Sequence, residues 1–291
     1  MINYVLIGAA GYIAPKHMKA IKDTGGNLIA MLDPHDSVGI IDNYFPSCKL
    51  FTEFERFDRF CSQQNDNGNI IDYVSICSPN YLHEAHCRFA LRIGANAICE
   101  KPLALREKNV NDLERIEKQT NRKIYTILQL RLNPTMIKLK KEIFLINEHI
   151  SNVSLIYHTP RGDWYDHSWK SNKEKSGGLV TNIGIHLFDL LFWLFGSYLN
   201  FHIKTVTART IDGIIYLGEM AKVAEINFHL SISEKNKALR LLTIDGKEYE
   251  LSNNFTELHT ESYKQILLGN GFGVTEARPA VTLCEALRII T

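Results

Sequence analysis

The side chains of this sequence best suited to moving a proton are a lysine behind a glutamate at the end of an apolar run, and a histidine four residues after an asparagine. The first is Glu100-Lys101-Pro102, which follows Ala97-Ile98-Cys99. The apolar run reads as a short buried strand, and in an open parallel sheet ligands bind beyond the carboxyl ends of the strands. Pro102 removes a backbone donor and fixes φ, so the strand stops there and Lys101 is held in a turn, compatible with a cis Lys101–Pro102 bond. The second is Asn182 with His186, which share one face if 179–186 is helical. A lysine can stabilise a developing alkoxide, and a histidine titrates near neutral pH and can take its proton. Alone, a Glu-Lys pair is most often solvated charge and a helix histidine most often structural. The elements around them change that balance.

The chain opens with an apolar strand, Ile2 to Ile7, then Gly8-Ala9-Ala10-Gly11-Tyr12-Ile13-Ala14, then a helical segment with Met18 and Ile21 on one face, ended by Gly25 and Gly26. A second apolar strand, Leu28 to Leu32, is closed by Asp33. Strand, glycine turn, helix, strand and acid in this order are the context of a dinucleotide-binding fingerprint. The glycines admit a pyrophosphate, the helix N-terminus offers N–H groups and positive dipole, and the acid accepts from ribose hydroxyls. The fingerprint is imperfect, with Ala10 at the second glycine position and Ile13 at the third. No Arg or Lys lies between Asp33 and Ser47, so nothing nearby neutralises a 2′-phosphate and NAD is favoured over NADP.

The alternation continues through a helix from Phe54 to Cys61, a polar loop Gln63–Asn69, a strand Tyr73–Cys77, a helix His83–Arg92, the strand before Glu100, a helix Arg106–Thr120 and a strand Ile124–Leu130. Strands separated by helices of this length predict a parallel, doubly wound sheet over residues 1–120, with the strand near 124–130 as a possible addition. From residue 121 the pattern changes. A helix Asn133–Ile146 is followed by a strand from Val153 and by the loop Pro160–Lys170, which holds Trp164 and Trp169, two of the three tryptophans. Strand-like runs fill Phe201–Leu251, Asp245-Gly246 reads as a hairpin turn, and a last helix covers about Ala277–Ile290. Residues 121–291 therefore read as an α+β domain with a mainly antiparallel sheet of five or six strands.

Composition excludes other classes. The chain has 291 residues, 45% hydrophobic and 22% charged, with a formal net charge of +1, so no field recruits nucleic acid or anionic membrane. The short apolar start lacks a basic leader, and Leu187–Gly196 holds Asp189 and is too short to span a bilayer. The six cysteines form no Cys-x-x-Cys pair and no zinc spacing with histidine, so reduced thiols, a cytoplasmic location and no metal are expected.

Gly8-x-x-Gly11-x-Ile13, Ser78-Pro79-Asn80 with His83, Glu100-Lys101-Pro102, and Gly177-Gly178 followed by Asn182 and His186 together resemble the Gfo/Idh/MocA oxidoreductase family over essentially the whole chain. The resemblance implies a Rossmann domain followed by a domain whose open sheet faces a neighbouring subunit, in dimers or tetramers. It implies NAD held by Gly8, Gly11, Tyr12, Ile13, Asp33, Ser37, Ser78, Asn80, His83, Glu100, Lys101 and Gln129. The runs Gly8–His17, Leu128–Arg131, Arg161–Tyr165, Ser168–Lys170 and Thr181–His186 are similar to members that oxidise the C3 hydroxyl of UDP-N-acetyl-D-glucosaminuronic acid with NAD, giving a 3-keto sugar for lipopolysaccharide or O-antigen synthesis. Lys101, Arg131, Arg161, Trp164, Tyr165, Lys170, Asn182 and His186 are then the substrate-binding candidates, cations for oxyanions and aromatics for ring stacking. His259 and Tyr263 match the same members and are expected toward the nucleotide half. Most relatives carry Asp where this chain has Asn182, and an amide cannot take a proton. His186 is therefore expected as base, Lys101 as alkoxide stabiliser and Asn182 as an orienting group. A dehydrogenase for a free sugar or inositol, and a dinucleotide-binding protein without turnover, remain as alternative readings.

Overall fold

The computed structural model describes residues 1–145, 150–218, 223, 225–233, 238–251 and 257–290. Two compact units emerge: residues 1–129 with 257–278, and residues 130–256 with 279–291.

The first unit is built on a six-stranded parallel sheet of β1 (Asn3–Ile7), β2 (Asn27–Leu32), β3 (Lys49–Phe51), β4 (Tyr73–Ile76), β5 (Asn96–Cys99) and β6 (Ile124–Thr126), in the order β3-β2-β1-β4-β5-β6. Strand order reverses between β1 and β4, and ligands of such sheets bind at that switch point, beyond the strand ends. The inner strands read as continuous apolar runs because both faces are covered. Helices α1 (Ala14–Asp23), α2 (Phe54–Asp66), α3 (His83–Arg92) and α4 (Glu107–Thr120) connect them. Helix α1 lays Ala14, His17, Met18 and Ile21 into the core, and Tyr263 and Ile266 of a returning helix, α8 (Leu258–Leu267), join the same cluster.

Several boundaries move from their expected places, each for a local reason. Helix α2 continues through Asp66 instead of yielding to a polar loop at Gln63, because Asn65 is anchored: its amide donates to the Ile93 carbonyl at 2.7 Å and its oxygen accepts from Ile71 N–H at 3.1 Å. Strand β6 stops at Thr126, where the Leu128 N–H turns back onto the Thr126 carbonyl at 3.0 Å. It pairs with β5, and 257–278 returns to the first unit, so the expected boundary at 120/121 shifts to 129/130 and the unit is discontinuous.

The second unit holds a six-stranded sheet of β7 (Val153–Thr159), β8 (Tyr198–Val206), β9 (Thr210–Leu217), β10 (Glu225–Ile232), β11 (Leu239–Ile244) and β12 (Lys247–Glu250), in the order β12-β11-β7-β10-β9-β8. Only the β7–β10 pairing is parallel; the other four are antiparallel. The Asp245-Gly246 turn between β11 and β12 has φ of 46° and 81°, the positive pair that a two-residue hairpin demands. Alternation sends Leu155, Ile226, Phe228 and Leu230 inward. Helix α5 (Pro134–Leu145) starts with its proline in the first turn; the expected end at Ile146 lies outside the described residues. A four-residue helix, α6 (Lys173–Ser176), leads through Gly177 and Gly178, at φ 80° and 71°, into a wide π-helical turn over Val180–Gly184 and then α7 (Ile185–Phe195). A Cβ on Gly177 would meet the Thr181 Cβ at 2.5 Å, so the turn needs glycine. The window spanning this region is apolar enough to cross a membrane by composition, yet 78% of it is buried within the protein. Phe188 meets Phe228 of the sheet edge-on, with ring centroids 5.4 Å apart. Helix α9 (Val274–Ile290) begins earlier than expected and carries Pro279 inside it.

Candidate active site

The glycine turn is set by its neighbours. Gly8 has φ of 89°, and a Cβ there would lie 2.5 Å from the Cys77 carbonyl carbon, so the end of β4 packs where a side chain would stand. Gly11 donates its N–H to the Gly8 carbonyl at 3.1 Å, and α1 begins with no side-chain cap and with Pro15 in its first turn. Asp33, buried at the end of β2, accepts from Ala10 N–H through Oδ2 and from His35 N–H through Oδ1, both at 2.9 Å. It therefore braces the glycine turn, and a carboxylate has lone pairs left for ribose hydroxyls. Asp33→Ala removes a ribose acceptor and loosens the turn together. We expect NAD to bind roughly 10- to 100-fold more weakly and the NAD/NADP preference to narrow, as for lost hydrogen bonds to a charge. Titration of the unmutated protein showing equal affinity for NAD and NADP would contradict this role.

The loops after β4 and β5 meet at the same edge. Ser78 and Asn80 are buried there, and the Ser78 hydroxyl lies 2.8 Å from His86 Nδ1. His83 lies between the same two loops. It is 1% exposed, with Nδ1 2.6 Å from the Pro102 carbonyl and Nε2 2.7 Å from the Ser78 carbonyl. Both ring nitrogens are engaged by main chain, so His83 clamps the Lys101–Pro102 turn, which is cis, to the β4 loop. Tyr12 and Ser37 are exposed and Ile13 is half-buried. Gln129 is buried, and its Oε1 has no hydrogen-bond partner.

Glu100 is 6% exposed. Its Oε1 lies 3.0 Å from His17 Nε2 and 3.0 Å from His259 Nε2, and its Oε2 accepts from Lys101 N–H at 3.3 Å. His17 Nδ1 lies 2.8 Å from the Tyr263 hydroxyl, which is 2.7 Å from the Ser75 hydroxyl. Burial works against the charge on Glu100, but the two imidazoles outweigh it and hold the carboxyl well below its ordinary range. Burial lowers the pKa of His17. His259 and Tyr263, expected toward the nucleotide, thus lie in the interior of the first unit. The group also brings three metal-ligating side chains together where no metal spacing was legible. Sequence reasoning passed over His17 as part of a motif. The signal was present, since His17 sits on the same helical stripe as Ala14, Met18 and Ile21 and so faces inward.

In the second unit the charged candidates separate. Arg131 makes a two-pronged pair with Asp189, Nε to Oδ2 at 3.0 Å and Nη2 to Oδ1 at 2.7 Å, with both residues buried. Its Nε and Nη2 are thereby committed to Asp189 within the second unit. Removing one partner leaves the other charged and buried, so Asp189→Ala should cost about 3–5 kcal/mol in urea unfolding, while Arg131→Met with Asp189→Leu should recover most of it. A loss below about 1 kcal/mol for Asp189→Ala would mark the pair as a surface-type bridge. Arg161 and Lys170 instead flank Trp164, with charge-to-centroid distances of 5.9 and 5.3 Å, and Trp164 remains 52% exposed. Burial, then Arg161, depresses Lys170. Tyr165 is buried and burial raises its phenol, with the Asn182 amide pulling the other way, so loop and helix meet here. The Tyr165 hydroxyl itself has no partner of normal hydrogen-bond geometry. Asn182, in the π-helical turn, and His186, in the first turn of α7, are half-buried while Ile183, Gly184, Ile185 and Leu187 around them are buried. The shared face expected from their spacing is therefore the open one, and π turns recur at functional sites.

Residues 2–127 match the Gfo/Idh/MocA model described as an oxidoreductase family, NAD-binding Rossmann fold, and residues 149–211 match the model of its C-terminal alpha/beta domain. The WlbA (WbpB) dehydrogenase of Thermus thermophilus, solved with NAD and UDP-GlcNAcA, is 43% identical, with a TM-score of 0.94 over 99% of this chain and 95% of that one. In complex with NAD and alpha-ketoglutarate it gives 0.95 over 100% and 96%. Among curated proteins, the 2,7-anhydro-N-acetylneuraminate hydratase of Mediterraneibacter gnavus is 27% identical over 201 residues, 67% of this chain and 50% of its own. The chain spans about half the length of the curated relatives it first matches.

Proposed function

The chain belongs to the Gfo/Idh/MocA oxidoreductase family, and from that premise we propose that it is an NAD-dependent dehydrogenase acting on the C3 hydroxyl of a UDP-N-acetylglucosamine uronate. The observation that carries the reading is whole-chain likeness, at 43% identity, to a dehydrogenase solved with NAD and UDP-GlcNAcA. The residues fit it. The carboxyl edge of the parallel sheet offers a glycine turn braced by Asp33 and an uncapped helix N-terminus, which suit a dinucleotide. Arg161, Lys170 and an exposed Trp164 suit a charged nucleotide sugar better than a neutral inositol.

When bound, NAD supplies the hydride acceptor. The protein's part is to take the hydroxyl proton and to stabilise the oxygen left behind. His186 takes the proton, Lys101 offers a positive charge to the developing alkoxide, and Asn182 orients the sugar. A 2-oxo acid is the proposed acceptor that returns the cofactor to NAD, supported by the alpha-ketoglutarate complex of the Thermus protein. The exposed face of the second sheet, with Ile156 37% and Leu239 43% exposed, is the proposed surface for pairing copies into dimers or tetramers. The six free cysteines fit a cytoplasmic setting.

The test is absorbance at 340 nm with NAD and a panel of UDP-sugars, uronates included, beside myo-inositol and free glucose. Turnover confined to the UDP-uronate is expected. Faster turnover of inositol, or of uncharged sugars, would overturn the assignment.

A further inference from the structure

The buried group around Glu100 can be assigned proton by proton. All three partners of its carboxylate are nitrogen groups: the Nε2 atoms of His17 and His259 on one oxygen, and the Lys101 N–H on the other. An ionised carboxylate only accepts, so each partner donates. With its proton on Nε2, neutral His17 has a bare Nδ1, which accepts from the Tyr263 hydroxyl. The Tyr263 oxygen then accepts from Ser75. One direction satisfies every member: Ser75 to Tyr263 to His17 to Glu100, with His259 donating from the far side. The result is an ionised carboxylate with donors on both oxygens, in the interior of the first unit. A network of this kind is rigid because each member lacks an alternative partner.

We propose that His259 and Tyr263, carried in by α8, are positioning residues of the reaction: with His17 they fix the Glu100 carboxylate, and through its second oxygen the main chain at Lys101. The local contact to Glu100 is the long one from Lys101 N–H on Oε2, at 3.3 Å, and the donors on Oε1 come from elsewhere in the chain. Two donors from separate helices, α1 and α8, hold it inward. His259 touches neither cofactor nor substrate in this scheme and acts through Glu100. The proposal rests on the reading of Lys101 as the group that stabilises the alkoxide.

The experiment compares His259→Ala, His259→Gln and Tyr263→Phe in the full chain, using NAD and UDP-GlcNAcA, with NAD affinity measured separately by fluorescence. For His259→Ala, kcat should fall on the order of 10²-fold, while KM and NAD affinity move less than about threefold, as for a misplaced catalytic group. His259→Gln should recover most of the loss, since its amide N–H can still donate to Glu100. Tyr263→Phe should fall between the two. Unchanged kcat in His259→Ala overturns the proposal. So does a His259→Gln variant as slow as His259→Ala at the same melting temperature, which would make the residue packing only.

Histidine-labelled NMR of the unmutated protein gives a readout independent of turnover. Two exchange-protected Nε2–H protons are expected, both shifted or lost in Glu100→Gln. A divalent metal held by His17, Glu100 and His259 would instead remove both protons and appear at one ion per chain in elemental analysis, and that result overturns the hydrogen-bonded frame. Both protons present in a protein that turns over no sugar overturns the functional reading and upholds the frame.

Discussion

His186→Ala lowers kcat by roughly 10²–10⁴, the usual contribution of a positioned general base, and removes the acidic limb of the pH–rate profile near neutral pH. The expectation follows from elimination as well as resemblance. Asn182, on the same open helix face, carries an amide and cannot accept a proton at any working pH. Tyr165, beside it, is pushed upward by burial and stays protonated. His186 is the remaining side chain of this pair that can accept a proton. His186→Asn keeps size and some hydrogen bonding, and should not restore the limb. If Lys101 were the base and His186 only held the sugar, His186→Ala would raise KM with kcat nearly intact and the limb would survive. Profiles at saturating UDP-GlcNAcA separate the two outcomes.

Lys101→Ala should retain NAD binding and lose most turnover, a fall of about 10²–10³ in kcat, as when one preorganised donor to a developing oxyanion is removed. Lys101 stands in the cis turn before Pro102, with its N–H on Glu100 and the following carbonyl held by His83. Its main chain is braced on both sides, so deletion of the side chain beyond Cβ should leave the turn and the melting temperature in place. Lys101→Arg, which keeps the charge on a longer and planar head, should recover little. Retained kcat in Lys101→Ala would remove the residue from the chemistry.

Much of this molecule is local and was legible. Apolar runs punctuated by glycine, proline and acid mark the strand ends, and strand ends are where a parallel sheet presents its chemistry. Asp33 and Glu100-Lys101 were placed by that rule, and the i, i+4 spacing of Asn182 and His186 puts them on one helix face whether the turn is α or slightly wider. The Asp245-Gly246 hairpin is equally local, set by two residues whose backbones tolerate positive φ. The α2 extension was missed because its tail is polar, and its anchor, the Ile93 carbonyl, is 28 residues away.

By itself the sequence determined the strand–helix alternation of the first half, the parallel character of its sheet, the Asp245-Gly246 hairpin and the acids at the ends of β2 and β5, but not the short strand β3 or the returning helix α8. Each feature so determined depends on periodicity and turn chemistry within a few residues. Only the tertiary structure decided which partner each charge takes. Arg131 is legible as a cation, but only the fold shows that Asp189, 58 positions on, pairs it bidentately inside the second unit. Likewise only the fold shows His17, 83 positions before Glu100, and His259, 159 positions after it, on one oxygen of its carboxylate. A charged side chain carries no local mark of its partner, because the ion pair forms only where the fold removes water from both groups and brings their atoms within hydrogen-bond reach.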